Sequence, residues 1–502
     1  ENLVKLDLIR DGKFDIMEYA RYYCEKDTEV LCKGYETFRS WILEALDIDI
    51  DNQVTISSVA RTYLQNRGCF DGVENLGGIT REFHKQFVVG GRVMTCQNKK
   101  VHAEGRVSDY DAVSLYPSAM ARMPGFLLGK PKILEQSQLN KEFLDGVDGY
   151  FVHCRINEVG VRRDFPLMTE FKEDGTRIFD NDVKEVYVDK TGLEDLIEFQ
   201  KCEVEILDGV FYDEGRNTKI SEVMRELFQL RKQKKAEGNP IQEVYKLIMN
   251  SGYGFTIMKA PEYDLQIKNR DVADTYIARN YGAIHSIVEV GTNKMLVKTH
   301  KSIDEHFVPL HCGIEVLSWS KRIMNETMCL AEDLGISIYY QDTDSMHLPE
   351  DAVPKLEAAF KEKYGRELRG KDLGQFHPDF EFDGHENVRS VELIAVGKKT
   401  YLDILEGENK EGVTEQALHV RCKGVPTQVV KWTAERSFPD LNEIGGVREL
   451  YLKMLSGDAV DFDLTQQGTR TCFDSARDFT VKSRDKFDRK LTFKNEDVLL
   501  FS

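Results

Sequence analysis

With 502 residues, of which 41% are apolar, 10% aromatic and 31% charged, the chain is long enough for about three domains or one large multi-lobed enzyme. Only 12 prolines beside 37 glycines exclude collagen-like and low-complexity architectures. A formal net charge of -18 argues against a body coated in basic surface, while leaving room for a locally basic groove that holds nucleic acid.

The opening ENLVKLDLIRDGK has no apolar signal-peptide core and begins with Glu rather than Met, so a fragment or processed product is expected. From Phe14 to about Leu46, residues Ile16, Tyr19, Ala20, Tyr23, Val30 and Leu31 recur at mixed three/four spacing and predict a helix, with a second over Ile56–Leu64. Strand texture starts at Phe87, in FVVGGRVMTC and then VSDYDAVSLYP. Residues 126–210 alternate short apolar runs with turn signals (DGVDG, EDGT, DKTG) and read as a mixed insertion. Two helices follow, Ile220–Ala236 and Pro240–Ser251, with Gly238 to stop the first, Asn239 to cap the second and Pro240 at its first position. Ile336–Tyr340 predicts a strand that turns at Asp342-Thr343-Asp344 and returns through Met346-His347-Leu348. The C-terminal stretch has weak periodicity and predicts little. No apolar run reaches the ~18 residues of a membrane span. The ten cysteines are dispersed without a C-x-x-C pair, so structural zinc and iron–sulfur clusters are not expected and a reducing intracellular compartment is.

Three blocks carry chemistry. In Asp109-Tyr110-Asp111-Ala112-Val113-Ser114-Leu115-Tyr116-Pro117-Ser118, an Asp ends a strand ahead of a turn that Pro117 closes, which suits a metal beside backbone N–H groups that face an anion. Alone, it reads equally as a surface strand with solvated carboxylates. In Lys246 to Gly254, residues Val244, Leu247, Ile248 and Ser251 share one helix face, and Lys246, Asn250 and Tyr253 share the opposite one. That second stripe offers a cation, an amide and a flat ring to a triphosphate and its base; the plainer alternative is an amphipathic helix with a solvated Lys. In Tyr340-Gln341-Asp342-Thr343-Asp344-Ser345, two carboxylates at a hairpin tip repel each other unless a cation sits between them, although Asp also favours plain turns. Together the blocks supply parts for phosphoryl transfer, in which cations ~3.5–4 Å apart activate a hydroxyl and stabilise a leaving pyrophosphate. Arg231 and Lys246 stand at similar heights on the predicted helical hairpin, making Arg231 a better second cation than Lys232, Lys234 or Lys235. The basic cluster could equally complement the first helix's C-terminal dipole.

These blocks, in this order, resemble the family B DNA polymerases, and more narrowly their protein-primed branch in phages, linear plasmids, mobile elements and large DNA viruses. Asp111–Ser118 is similar to motif A, Lys246–Gly254 to motif B (K-x-x-x-N-S-x-Y-G) and Tyr340–Ser345 to motif C (Y-x-D-T-D-S). Lys399-Thr400-Tyr401 is similar to the K-x-Y motif, and Lys423-Gly424-Val425-Pro426 to the start of the thumb. The resemblance implies an α+β right-hand polymerase with insertions and a remnant of an exonuclease domain. Its expected parts are an exonuclease remnant at 1–48, palm at 49–125 and 309–422, fingers at 211–255 and thumb at 423–502. Insertions are expected at 126–210, gripping a priming protein, and at 256–308, encircling DNA.

The resemblance also implies roles. Asp111 and Asp344 would ligate two Mg²⁺ (or Mn²⁺) ions, with Asp342 a weaker third catalytic ligand. Ser114, Leu115, Tyr116, Arg231, Lys246, Asn250 and Tyr253 would bind the dNTP, with Tyr116 under the sugar to exclude a 2′-hydroxyl. Gly90, Gly91, Arg92, Thr343, Lys399 and Tyr401 would hold template and primer. Partners would be primer–template DNA, dNTPs and a terminal (priming) protein, with no membrane, on a monomer inside an infected or element-bearing cell. Two departures stand out. The Y-x-G-G motif reads Val88-Val89-Gly90-Gly91, with its aromatic lost or replaced by Phe87. Tyr23 and Asp27 resemble the third exonuclease motif, but the first two motifs are absent, so independent proofreading is not expected. A nucleic-acid-primed family B polymerase, an inactive DNA-binding paralogue and a 3′–5′ exonuclease are the alternatives.

Overall fold

Asp15 sets the start of the first helix, α1 (Ile16–Leu46): its carboxylate accepts the N–H groups of Met17 and Glu18. The helix stops at Asp47 in left-handed backbone. Only its last turns are inside, through Ile42 and Leu46, while Tyr23, Val30 and Leu31 stay exposed. A Thr55–Ser58 capping box opens α2 (Ile56–Asn66), which buries Val59, Ala60, Tyr63 and Leu64. The computed structural model describes residues 9–10, 13–171, 177–463, 472–473, 481–482, 488–491 and 498–501. Parts of the segments expected as exonuclease remnant (1–8, 11–12), first insertion (172–176, with its EDGT turn signal) and thumb (464–471, 474–480, 483–487, 492–497, 502) lie outside the described residues.

The strand expected from Phe87 begins later. Phe87 and Val88 donate back to the carbonyls of His84 and Lys85 as the preceding helix unwinds, and pairing starts at β1 (Val93–Thr95). The long strand β2 (Lys100–Ala112) follows and leads into α3 (Leu115–Arg122). Pro117 therefore sits in the first turn of a helix, where its missing N–H removes no bond, instead of closing a turn.

Residues 126–210 build a unit with its own apolar core. There β3 (Gly149–Val159) and β4 (Cys202–Tyr212) pair antiparallel in the middle of a four-stranded sheet, and α4 (Lys190–Gln200) covers it. Val152, Cys154, Leu193 and Leu196 meet in that core. Next come α5 (Lys219–Ala236) and α6 (Gln242–Ser251), joined through Gly238 at φ 66° and Asn239, whose side chain accepts the Ile241 N–H. The inner face of α6 is Val244, Tyr245, Ile248 and Met249. The expected Leu247 is 39% exposed, because α6 packs against both α5 and α2 and turns a wider, rotated face inward. Residues 256–308 carry β5 (Tyr263–Asn269), β6 (Ile284–Val290) and β7 (Lys294–His300), a sheet in the order β5-β7-β6. Its two ends meet where the Lys301 N–H donates to the Glu262 carbonyl at 2.9 Å.

The buried helix α7 (Leu310–Asp333) packs on α3 and α4 and returns the chain to the central sheet. Ile336–Tyr339 is not part of a strand; regular pairing covers β8 (Tyr340–Asp342) and β9 (Ser345–Pro349). Then follow β10 (Phe376–Pro378), β11 (Glu386–Gly397), β12 (Thr400–Glu408) and β13 (Thr414–Cys422). The central sheet has nine strands: the order is β13-β12-β11-β2-β9-β8-β1, with β10 and Val498–Phe501 also pairing with β2. Three register shifts in the β11–β12 pairing bend the sheet, so β12 curls over the end of β9. Two helices that the sequence pattern did not reveal, α8 (Thr427–Ser437) and α9 (Glu443–Leu455), cover the β11–β13 side through Val429, Val430, Val447, Leu450 and Tyr451.

Candidate active site

Strand register brings the acidic residues to one end of the sheet. In the β8–β9 hairpin Asp342 stands opposite Ser345, and Ser345 in turn stands opposite Asp111 of β2. The Ala112 N–H donates to the Asp344 carbonyl at 2.8 Å, which locks the two acidic ends together. Thr343 at the tip has φ 56°, and its N–H donates to the Arg92 carbonyl. A Cβ at position 91 would come within 2.6 Å of Thr343 Cγ2, so Gly91 is what lets the tip seat against this backbone.

Burial and the neighbouring Asp344 push the Asp111 carboxyl up to about 8, and burial also raises Asp344. No described basic side chain forms an ion pair with either. Asp342 differs: Lys399 Nζ lies 2.7 Å from its Oδ1 and 2.9 Å from its Oδ2.

Two further groups were not anticipated. His377 on β10 stands opposite Asp111, and ligand atoms of Asp111, His377 and Asp379 all lie within 4.8 Å of one another. His377 Nδ1 is buried without a hydrogen-bond partner. The only signal was the His-Pro-Asp run at 377–379, which means nothing until β10 pairs with β2. A cluster of carboxylate oxygens with mutual repulsion and an orphaned imidazole nitrogen fits a divalent cation, Mg²⁺ by its oxygens and Mn²⁺ if the nitrogen joins.

The helical hairpin faces this tip. Tyr253, just beyond the end of α6, stacks on Tyr116, with ring centroids 4.5 Å apart and planes at 25°, which sets the end of α6 against the segment that follows Asp111. Lys246 and Asn250 are exposed. From the other helix, Arg231 Nη1 reaches to 3.5 Å from Ser114 Oγ, and its Nε is buried without a partner. Lys232 and Lys234 are taken by Asp372 and Glu237. Ser114, at φ 48°, immediately precedes α3, and Leu115 is buried beneath it.

Some expected DNA contacts are placed elsewhere. Arg92 is buried, and its guanidinium donates to Gln341, to the Phe165 and Pro166 carbonyls and to Asn325, which leaves none of its nitrogens for a phosphate. Tyr401 is also buried; its ring packs against Tyr340 and His347 and supports the tip from below instead of meeting a DNA groove. Gly90 is partly open, 3.6 Å from Arg177 Nη1 as measured from an added Cβ. Tyr23 and Asp27 lie exposed on α1, and Asp27 belongs to neither group of three or more potential metal ligands among the described residues.

A curled antiparallel sheet with an acidic tip, a cation-bearing helical hairpin above it and a helix pair on its far edge is a right-hand polymerase architecture of palm, fingers and thumb. Solved structures share it. Phi29 DNA polymerase with primer–template DNA superposes with a TM-score of 0.58 at 14% identity, over 84% of this chain and 67% of that one. Phi29 DNA polymerase with primer–template DNA and incoming nucleotide substrates gives 0.57 at 15% identity, over 88% and 68%. The profile of the family "DNA polymerase type B, organellar and viral" matches residues 5–330, and the chain belongs to that family. A DNA polymerase of Kluyveromyces lactis is 22% identical over 463 residues, 89% of this chain. The chain spans 42% of that relative's length.

Proposed function

We propose that this chain is a template-directed DNA polymerase that joins dNTPs to a primer 3′-hydroxyl. The observation that carries the reading is the pair of half-buried neighbouring carboxyls, Asp111 and Asp344, which no described basic side chain ion-pairs, beside a helical hairpin that carries Lys246 and reaches Ser114 through Arg231. Divalent ions held by Asp111 and Asp344, with Asp342 and Asp379 alongside, would supply activation of the primer hydroxyl and stabilisation of the leaving pyrophosphate. Arg231 and Lys246 neutralise the triphosphate, and the open backbone N–H groups of the first α3 turn add donors to it. Tyr116, braced by Tyr253, forms a flat floor for the sugar and leaves no room for a 2′-hydroxyl. Thr343 and the Gly90-Gly91 backbone lie where a primer end would approach Asp344. Family membership and the nucleic acid in the Phi29 complexes support the substrate assignment.

The boundaries in this reading are palm at 49–125 and 309–422, fingers at 211–255 and thumb from 423, with 1–48 the edge of an exonuclease domain. Primer extension with Mg²⁺ and dNTPs is the test: Asp111→Asn and Asp344→Asn proteins that extend as well as the unmodified protein would refute the metal assignment.

We further propose protein-primed initiation. Residues 126–210 and 256–308 lie on either side of the fingers in the chain, and each builds its own small sheet. A ring made by such insertions slows dissociation from DNA without a strongly basic surface, consistent with a net charge of -18. Removing 263–300, whose flanking residues Glu262 and Lys301 are already hydrogen-bonded, should shorten single-encounter products and weaken strand displacement while nucleotide insertion survives. Unchanged product length would make the segment a passive insertion. No described helix is long and apolar enough to cross a membrane.

A further inference from the structure

Directly behind the acidic tip lies a second charged cluster that the proposed chemistry does not use. His347 on β9 is fully buried, three residues beyond Asp344. Its Nε2 is 3.3 Å from Asp403 Oδ2 on β12, and its Nδ1 is 3.4 Å from Asp109 Oδ1 on β2. The same Asp403 oxygen is 3.4 Å from His419 Nδ1 on β13. Tyr340, Tyr401 and Phe380 stand edge-on around the imidazole, with centroids 5.7, 5.5 and 5.5 Å away. Asp403 is fully buried and Asp109 nearly so.

We propose that His347 is a positioning residue of the polymerase centre, a buried clamp that ties the strand of Asp111, the strand of Asp344 and the strand that follows Lys399 into one rigid unit. The inference rests on the polymerase reading above.

The geometry argues for it in three ways. Both ring nitrogens face carboxylates: Nε2 is hydrogen-bonded to Asp403, while Nδ1 lies at ion-pair distance from Asp109 Oδ1 without a hydrogen bond, an arrangement of charge that suits an imidazolium. Burial alone would make this ring neutral, yet the two carboxylates outweigh it and hold His347 up at about 9. Burial works against the Asp403 charge, but His347 and His419 outweigh it and hold that carboxyl down at about 2. Asp342 and Asp379 add negative potential from the tip side. The placement also selects the three ends that matter. Asp109 shares a strand face with Asp111, His347 follows Asp344 on β9, and Asp403 lies four residues beyond Lys399, the partner of Asp342. Strands β12 and β9 are not neighbours in the sheet, so the ring spans a gap that backbone pairing leaves unbridged. Finally, apolar packing would serve stability as well as a buried ionic cluster does, while ionic contacts of fixed geometry specify register.

The test uses His347→Gln and Asp403→Asn in the full chain, with single-nucleotide addition measured well below each melting temperature. The expected result is kcat lower by about tenfold or more in each, with the dNTP KM and primer–template affinity within about twofold. The double variant should lose less than the product of the two single losses, because both break one clamp. Unmodified kcat in both variants, or a loss confined to KM, would overturn the proposal. A second measurement needs no variant: in protein carrying isotope-labelled histidine, nuclear magnetic resonance should find both His347 ring nitrogens protonated at about pH 8. A neutral ring there would overturn it, including where the variants fail to fold. If the unmodified chain extends no primer, the polymerase reading fails by itself, and the ring protonation still decides whether the clamp exists.

Discussion

Lys399 and Asp342 form a two-point ion pair at the mouth of the acidic cluster, with Nζ 2.7 Å from Oδ1 and 2.9 Å from Oδ2. The Tyr340 hydroxyl accepts the Lys399 N–H at 2.9 Å, so the pair is anchored to the strand that carries the tip. A Lys expected to bind DNA thus also neutralises one of the tip's own carboxylates. Lys399→Met should free Asp342 for a cation and add negative charge. The expected outcome is a lower half-saturating Mg²⁺ concentration together with weaker primer–template binding, each by about three- to tenfold. Magnesium titration and fluorescence anisotropy on one preparation check it; movement of both in the same direction would contradict the pairing.

Asp111 illustrates a conflict between stability and activity. Burial and Asp344 both disfavour its charge and hold it largely protonated near neutral pH, so Asp111→Asn should remove the cost of that protonation in the metal-free protein and raise its melting temperature by about 2–4 °C. Primer extension should fall by about a thousandfold or more. Added Mg²⁺ should stabilise the unmodified protein more than the variant in a thermal-shift measurement.

The Tyr116–Tyr253 stack predicts a coupled selectivity defect. Tyr116→Val should reduce discrimination between dNTP and rNTP by about tenfold or more while DNA affinity changes little. Tyr253→Ala should do part of the same by letting the Tyr116 ring tilt. Incorporation kinetics with matched dNTP and rNTP pairs measure both; unchanged ratios would make Tyr116 a packing residue.

Two arginines should behave in opposite ways. Arg231→Ala should raise the dNTP KM by about ten- to a hundredfold with the melting temperature unchanged, since among the described residues its Nε has no partner and its Nη1 reaches only Ser114. Arg92→Ala should destabilise the fold by about 3 kcal/mol by leaving buried acceptors unpaired, with DNA affinity preserved below the melting temperature. Steady-state kinetics and denaturant titration separate the two.

A pH effect should appear between the central sheet and the proposed thumb, where α9 meets β11. Burial works against the Glu392 charge, but hydrogen bonds from His102 and Arg448 prevail and hold it down at about 2. A depressed carboxyl contributes stability that is complete above its unfolded value and is lost as pH falls toward the folded one. From about pH 5 down to 3 the unmodified protein should therefore lose more stability than Glu392→Gln, whose curve should be flatter. Equal slopes would show that the Arg448 contact links β11 to α9 without holding the thumb.

Much of the candidate site could be read from the sequence because its residues lie in short segments. Asp342-Thr343-Asp344 needs only a local turn, and Lys246, Asn250 and Tyr253 need only the period of a helix. Motif order was sufficient for the family, and the Gly238-Asn239 break for the helical hairpin, as local signals of turn and cap usually are. Other features depended on long-range pairing. His377 and Asp379 reach Asp111 only because β10 pairs with β2, and His347 reaches Asp403 only because bulges in β11 curl the sheet. Arg92 was misassigned for the same reason: a charge on a glycine-flanked segment looks exposed until α7 and the 126–210 insertion close around it. The helices α8 and α9 were hidden because their apolar faces are matched to the sheet they cover, and their own periodicity is weak. Local sequence determined which groups can do the chemistry. Packing between distant strands decided which of them meet, because burial, register and charge pairing exist only once those strands are side by side.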